Sequence, residues 1–251
     1  MTTFRSILDV TAAEWLAGLG LTEQEIPDAV IVEGSWWRAE RQAWRLGYLQ
    51  EVRELNFPDI FWGKWGDKKI VFCMAYGAPR TVEIIYLFAF LGAKLAIQIG
   101  TCGGLQSHLN SGDVILPETV TCRDGVAHLF GDNEATFANL EWVTKAEMLL
   151  QAKSHTTHRG GHMTFSSLFA ETTAMMAAWH QAGYLSLDME TATTLSVSAE
   201  FNMPALSLLV VWDDLTRGKR FLDPMTEPEL TALNRANQSV FEVALALVEQ
   251  L

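Results

Sequence analysis

The sequence predicts an α/β fold in which a β-sheet is covered by helices, and three observations carry that prediction. Apolar runs alternate along the chain with amphipathic stretches, the order expected when strands feed helices that pack back on a sheet. The run Ala205-Leu-Ser-Leu-Leu-Val-Val-Trp212 is nearly continuous in apolar residues, which suits a strand covered on both faces rather than one with a wet side. With 251 residues, 49% hydrophobic and 19% charged, the chain can build one large core, so residues 1–251 are expected to form a single domain.

The elements follow in order. Ala29–Glu33 is a β-branched run stopped by Gly34, and Trp37–Leu46 beyond it is amphipathic. Lys69–Ala75 and Ala93–Ile99 are apolar strand candidates on either side of a helix expected over Thr81–Leu91. Asp113–Pro117 is a short strand, Thr144–Lys153 a helix, and His162–Phe165 another short strand. Helices are expected over Glu171–Ala182 and Met189–Phe201, the strand Ala205–Trp212 follows, and Glu227–Glu249 is a long closing helix. The segment 214–224 interrupts this rhythm with Gly, Pro and three cations, and reads as a loop able to cover a site.

Charge and cysteine usage exclude several classes. The net charge is −12, and no Lys/Arg cluster is long enough to follow a phosphate backbone, so nucleic acid and anionic membranes are poor partners. No window approaches the ~20 apolar residues of a membrane helix. The N-terminus carries no basic region followed by an apolar stretch, so a cytoplasmic protein is expected. Cys73, Cys102 and Cys122 are odd in number and lack CxxC spacing, and no His pair brackets a Glu at helical spacing; neither disulfides nor a metal site is indicated. The segment His155 to His162 lies in a polar Thr/Arg/Gly stretch and reads as loop.

Two carboxylates stand where an apolar core would have to tolerate them. Glu190 sits in Ser186-Leu-Asp-Met-Glu-Thr-Ala-Thr-Thr-Leu195, and Asp213 ends the apolar strand from Ala205. Singly, each has a plain structural account: Glu190 as a first-turn carboxylate favoured by the helix dipole, Asp213 as a cap or turn residue. Together, beyond the carboxyl ends of α/β strands, they look like a site. Ile97-Gln-Ile-Gly-Thr101-Cys-Gly-Gly104 supplies glycines whose N–H groups can face an anion or a sugar oxygen, although a plain Gly-rich turn fits equally well. Glu33-Gly34-Ser-Trp-Trp-Arg38 leads from strand to helix and offers helix N-terminal amides with an arginine one turn in.

In this order along nearly the whole chain, these pieces resemble the superfamily of nucleoside phosphorylases and nucleosidases. Its bacterial members include hexameric purine nucleoside phosphorylase, uridine phosphorylase and methylthioadenosine nucleosidase. Asp188-Met-Glu-Thr-Ala192, with an acid-terminated strand about twenty residues on, is the specific element. The resemblance implies a three-layer α/β fold with a central mixed β-sheet flanked by helices. It implies cleavage of the N-glycosidic bond of a purine-type nucleoside, with inorganic phosphate as co-substrate, no cofactor, and a homo-oligomer that is a dimer or a trimer of dimers. Glu190 would hold the ribose hydroxyls with Met189 beneath the sugar. Phe169, with Phe165 as the second choice, would face the base together with Asp188 and Trp212, and Asp213 would be the acid at N7. Gly34, Arg38, Thr101 and Gln98 would surround phosphate. Two departures stand out. Gln98 occupies a position where phosphorylases usually carry an arginine, so Arg53, Arg217, Lys219 or Arg220 would have to replace the charge, or water would replace phosphate. Trp212 stands where a small hydroxylated residue commonly precedes the acid. Hydrolysis to free ribose, and nucleoside binding without turnover, remain the alternatives.

Overall fold

The computed structural model describes residues 5–131, 134–219 and 221–251, and Arg220 therefore lies outside the described residues. Along the chain the helices are α1 (Ala12–Leu19), α2 (Arg38–Leu46), α3 (Ala78–Phe90), α4 (Leu140–Ala152), α5 (Thr173–Gln181), α6 (Thr191–Glu200) and α7 (Glu227–Val248). The strands are β1 (Ala29–Gly34), β2 (Gln50–Glu54), β3 (Ile60–Trp65), β4 (Lys68–Met74), β5 (Leu95–Gly104), β6 (Val114–Arg123), β7 (Ala135–Phe137), β8 (Thr157–Phe165), β9 (Ser186–Asp188) and β10 (Ala205–Asp214). The α/β class and the central mixed sheet expected from the sequence are what forms, and every expected strand and helix is present.

Half of the sheet closes on itself. β5 pairs in parallel with β10, β10 runs antiparallel to β6, β6 is parallel to β8, β8 is parallel to β9, and β9 returns antiparallel to β5. Closure removes exposed edges. From β5 the sheet continues through β1, β4, β3 and β2, with β7 on the outer side of β6. Helices α3 and α6 pack on each other, as do α4 and α7, and each pair also contacts the sheet. The main core joins Val30, Ile31, Ile97, Leu206, Leu208 and Val210 of the strands to Phe88, Val143, Leu195 and Phe241 of the helices. Among the described residues no helix is long and apolar enough to cross a membrane.

Local chemistry fixes the element ends. Thr11 and Glu14 make a reciprocal capping box before α1, which closes on Gly20 in the left-handed region; Thr226 and Glu229 cap α7 in the same way. Asn139 caps α4 by accepting from the Trp142 N–H.

The loop expected over His155 to His162 is corrected by the structure. Residues 157–165 form β8, in parallel register with β6 from Val114↔Thr157 to Arg123↔Phe165. The stretch is polar because only His162, Met163 and Thr164 are buried, and Gly160 takes a φ of 155° beside a register shift between Pro117 and Thr119. Pairing partners, absent from local periodicity, decide the strand.

Candidate active site

The carboxyl ends of the parallel strands β1, β5 and β10 meet the β9–α6 turn and the turn after β4, and a pocket opens between them, as expected for ligand sites on α/β sheets. Of the residues expected from the sequence, the structure brings Gly34, Thr101, Asp188, Met189, Glu190, Trp212 and Asp213 into its wall. The remaining wall includes Ser35, Trp36, Tyr76, Cys102, Glu171, Leu215 and Phe221. Leu215 and Phe221, from the stretch after β10, contribute to this wall.

Glu190 is the N-cap residue of α6, yet its carboxylate does not cap that helix. It turns into the pocket, where Oε1 accepts from the Gly77 N–H at 2.6 Å and Oε2 from the Met189 N–H at 3.3 Å. Only 4% of the residue is exposed. Burial, and then the neighbouring charge of Asp188, push its carboxyl well above the ordinary range. Gly34 is what makes room: a Cβ there would lie 2.7 Å from the Glu190 carboxyl carbon.

Asp188 has a different environment. Its oxygens accept from Thr164 Oγ1 at 2.8 Å, from the Thr191 N–H at 3.0 Å and from Thr191 Oγ1 at 2.5 Å, and His162 Nε2 lies 2.9 Å away. Burial would raise its pKa, but His162 and these donors hold it below the usual value. Gln98 belongs to this buried network. It is fully buried, accepts from Thr191 Oγ1 at 2.9 Å and donates weakly to Asp188 at 3.5 Å, so it ties β5 to the β9–α6 turn and is not part of the pocket wall.

Asp213 is placed by a bulge. Opposite β5, Val211 pairs with Cys102 and Asp213 with Gly103, which leaves Trp212 as the extra residue and re-aims the strand end. Both Trp212 and Asp213 consequently reach the pocket. Burial pushes the Asp213 carboxyl up to about 7, with Asp214 adding to the rise. Glu171, which follows a 3-10 turn at Leu168–Ala170, is likewise raised to about 7 by burial and by the charge of Asp213. Trp212 stacks on Trp37 at 4.6 Å, and Phe221 leans on both at 5.8–5.9 Å. Trp36 meets Tyr76 edge-on at 5.6 Å, and of these rings Trp36, Tyr76, Trp212 and Phe221 line the pocket, with Trp37 behind Trp212.

Other expected residues stand apart from the wall. Phe169 is 87% exposed and touches Trp36 edge-on at 6.4 Å. Arg38 opens α2 on the exposed side, near enough for its charge to act on Tyr76. Arg53 pairs with Glu25, Arg217 with Asp214 and Lys219 with Glu229. Among the described residues, no Lys, Arg or His lines the pocket. Glu171 and Tyr76 were not anticipated. Tyr76-Gly77 at the end of a strand was the available signal for one, whereas Glu171 was absorbed into a helix that in fact starts at Thr173.

Comparison with known proteins places this geometry among relatives. The family described as the phosphorylase superfamily matches residues 29–249. The chain is 29% identical over 205 residues to a purine nucleoside phosphorylase, DeoD-type, of Alkaliphilus metalliredigens, covering 80% of this chain and 88% of the relative. It is 26% identical over 234 residues to the enzyme of the same name from Bacillus cytotoxicus, covering 88% and 95%. Its fold is that of uridine phosphorylase from Vibrio fischeri, with a TM-score of 0.78 at 19% identity over 91% of this chain and 95% of that one.

Proposed function

The chain belongs to the phosphorylase superfamily, and from that premise we propose that it cleaves the N-glycosidic bond of a purine-type nucleoside, with inorganic phosphate as the acceptor. The observation that carries this reading is one pocket walled by two buried carboxyls in unlike settings, Glu190 held by backbone N–H groups and Asp213 at a bulged strand end.

Breaking this bond leaves positive charge on the sugar and negative charge on the base, so groups matched to those charges lower the barrier. Glu190 binds the ribose hydroxyls, and its charge faces the developing oxocarbenium. Asp213, raised to about 7 by burial, can still carry a proton near neutral pH and donates it toward N7 as the base leaves. Thr101 and the β1–α2 turn at Gly34 offer donors for phosphate beneath the sugar, with Arg38 at the edge. The aromatic roof of Trp212, Phe221 and Trp36 supplies flat apolar surface for a base. The names of the DeoD-type relatives support the purine assignment.

A second reading, hydrolysis, is favoured by one observation: the described pocket wall carries four carboxyl groups and no cation, a poor setting for a phosphate dianion. Release of free base from a nucleoside panel, assayed with and without phosphate, tests both. Ribose 1-phosphate identifies phosphorolysis, free ribose identifies hydrolysis, and no base in any arm rejects both. A homo-oligomer is supported by an apolar groove of about 960 Å³ lined by Ile7, Leu8, Trp15, Phe57, Phe90 and Phe201, and light scattering after gel filtration measures it.

A further inference from the structure

We propose that Asp188 is a positioning residue for Glu190: by occupying the N-terminus of α6 it leaves the Glu190 carboxylate free to face the pocket. The proposal rests on the reading of Glu190 as the group that binds the ribose. A helix leaves its first amides without partners of its own, and a carboxylate at its start is drawn to them by hydrogen bonding and by the helix dipole. Glu190 stands at that start as the N-cap residue of α6, yet its side chain makes no cap hydrogen bond.

The reason is that the first two amides are already taken. The Thr191 N–H donates to Asp188 Oδ2 at 3.0 Å, and the Ala192 N–H donates to Thr164 Oγ1 at 2.9 Å. Aspartate suits this task, since a short acceptor is what helix starts favour. The Glu190 carboxylate, left without a place on α6, reaches instead to the Gly77 N–H in the turn after β4, at 2.6 Å.

Asp188 is in turn held from β8. The parallel register sets Thr164 beside Asp188 and His162 beside Ser186, so the four side chains share one face of the sheet. Thr164 Oγ1 donates to Asp188 Oδ1 at 2.8 Å, His162 Nε2 lies 2.9 Å from the same oxygen, and His162 Nδ1 lies 2.8 Å from Ser186 Oγ. All four residues are buried, where polar groups persist only with partners. Burial alone would raise the Asp188 carboxyl, but His162, Thr191 and Thr164 hold it below its usual value and so keep it an acceptor. The inward polar residues of β8 thereby acquire a purpose: they fix the carboxylate that fixes the start of α6.

The test compares ligand-free crystal structures and sugar discrimination of the full chain in the wild type, Asp188→Ala and Asp188→Asn, with thermal melts reporting the fold. In Asp188→Ala the Thr191 N–H loses its acceptor, and the Glu190 carboxylate should leave the Gly77 N–H for the start of α6. Asp188→Asn keeps an amide oxygen for Thr191 and should leave Glu190 in place. The ratio of kcat/KM for a ribonucleoside to that for its 2′-deoxy counterpart should fall roughly tenfold in Asp188→Ala and be restored in Asp188→Asn. Both sugars are assayed on the same protein, so a loss of folded material cancels from the ratio. If Asp188→Ala does not fold, Thr164→Val, which takes the acceptor from the Ala192 N–H, is read in the same way, with Thr164→Ser restoring it. A Glu190 carboxylate still on the Gly77 N–H in folded Asp188→Ala, or in Thr164→Val in its place, overturns the proposal. Because the structures are determined without nucleoside, they decide it even if no base is released in any assay, a result that would instead overturn the functional reading.

Discussion

Replacing Glu190 with Gln is the most informative single change, because it removes the charge with little change in shape. Gln keeps one oxygen to accept from the Gly77 N–H, now 2.6 Å from Oε1. What it loses is the charged acceptor that faces the ribose. A hydrogen bond to a charged group is worth about 1.5–3 kcal/mol, so kcat/KM for a ribonucleoside should fall roughly tenfold to a hundredfold, at 1.36 kcal/mol per power of ten. The paired assay uses the matching 2′-deoxynucleoside. If Glu190 holds the 2′-hydroxyl, the wild type discriminates between the two sugars and Glu190→Gln largely does not. Equal discrimination in both proteins refutes the role. The same carboxyl leaves a second signature. Its pKa is raised by burial and then by Asp188, so between the unfolded value near 4.5 and the folded value the native state holds the extra proton. Stability contributed by this group is therefore greatest at low pH and declines as pH rises through that window. Glu190→Gln removes the decline, and its melting temperature relative to wild type should improve with pH. Ribose hydroxyls favour the ionised form, so nucleoside binding should also release a proton, measurable as a buffer-dependent heat in calorimetry.

Asp213→Asn should lower kcat by about two to four powers of ten while leaving the thermal melt intact; near-wild-type turnover would exclude it as the acid. Gly34→Ala places a Cβ 2.7 Å from the Glu190 carboxyl and so displaces it from its place beside the Gly77 N–H; KM for the nucleoside should rise, on the order of tenfold, in initial-rate assays. Arg45→Met takes from buried Glu33 its hydrogen-bonded partner, since the Arg45 guanidinium meets both its oxygens, at 2.8 and 3.1 Å, in a fully buried pair, and leaves only the nearby charge of Arg41. A loss of about 3–5 kcal/mol in urea unfolding is expected, with much of it recovered when Glu33 is made apolar as well.

How much of this was legible beforehand depends on what local sequence encodes. The strands from Ala29 and Ala205 declare themselves because they are buried along their whole length. β2, β3 and β9 do not, since β2 is mostly exposed and β9 is three residues long. β8 hides behind a polar composition that only its pairing with β6 explains. At the site, Glu190 and Asp213 are visible as charges out of place, and the structure brings both to one pocket. Gln98 shows the limit of reading by position. Its place in the glycine-turn segment suggested the phosphate side, whereas its amide is committed to Thr191 and Asp188 within the core. Glu171 was missed because a helix boundary was set two residues early, and a turn residue thereby looked like an ordinary helix start. The bulge at Trp212 depends on the register between β10 and β5, which no single strand reveals.

The most direct measurement is of the products formed from a purine nucleoside by the purified protein, followed by proton and phosphorus nuclear magnetic resonance with and without inorganic phosphate. Free base accompanied by ribose 1-phosphate is expected, appearing only when phosphate is present and slowed by about two to four powers of ten in Asp213→Asn. Free base with ribose, equally fast without phosphate, would transfer the nucleophile's role to water. Intact nucleoside under both conditions would contradict the central claim.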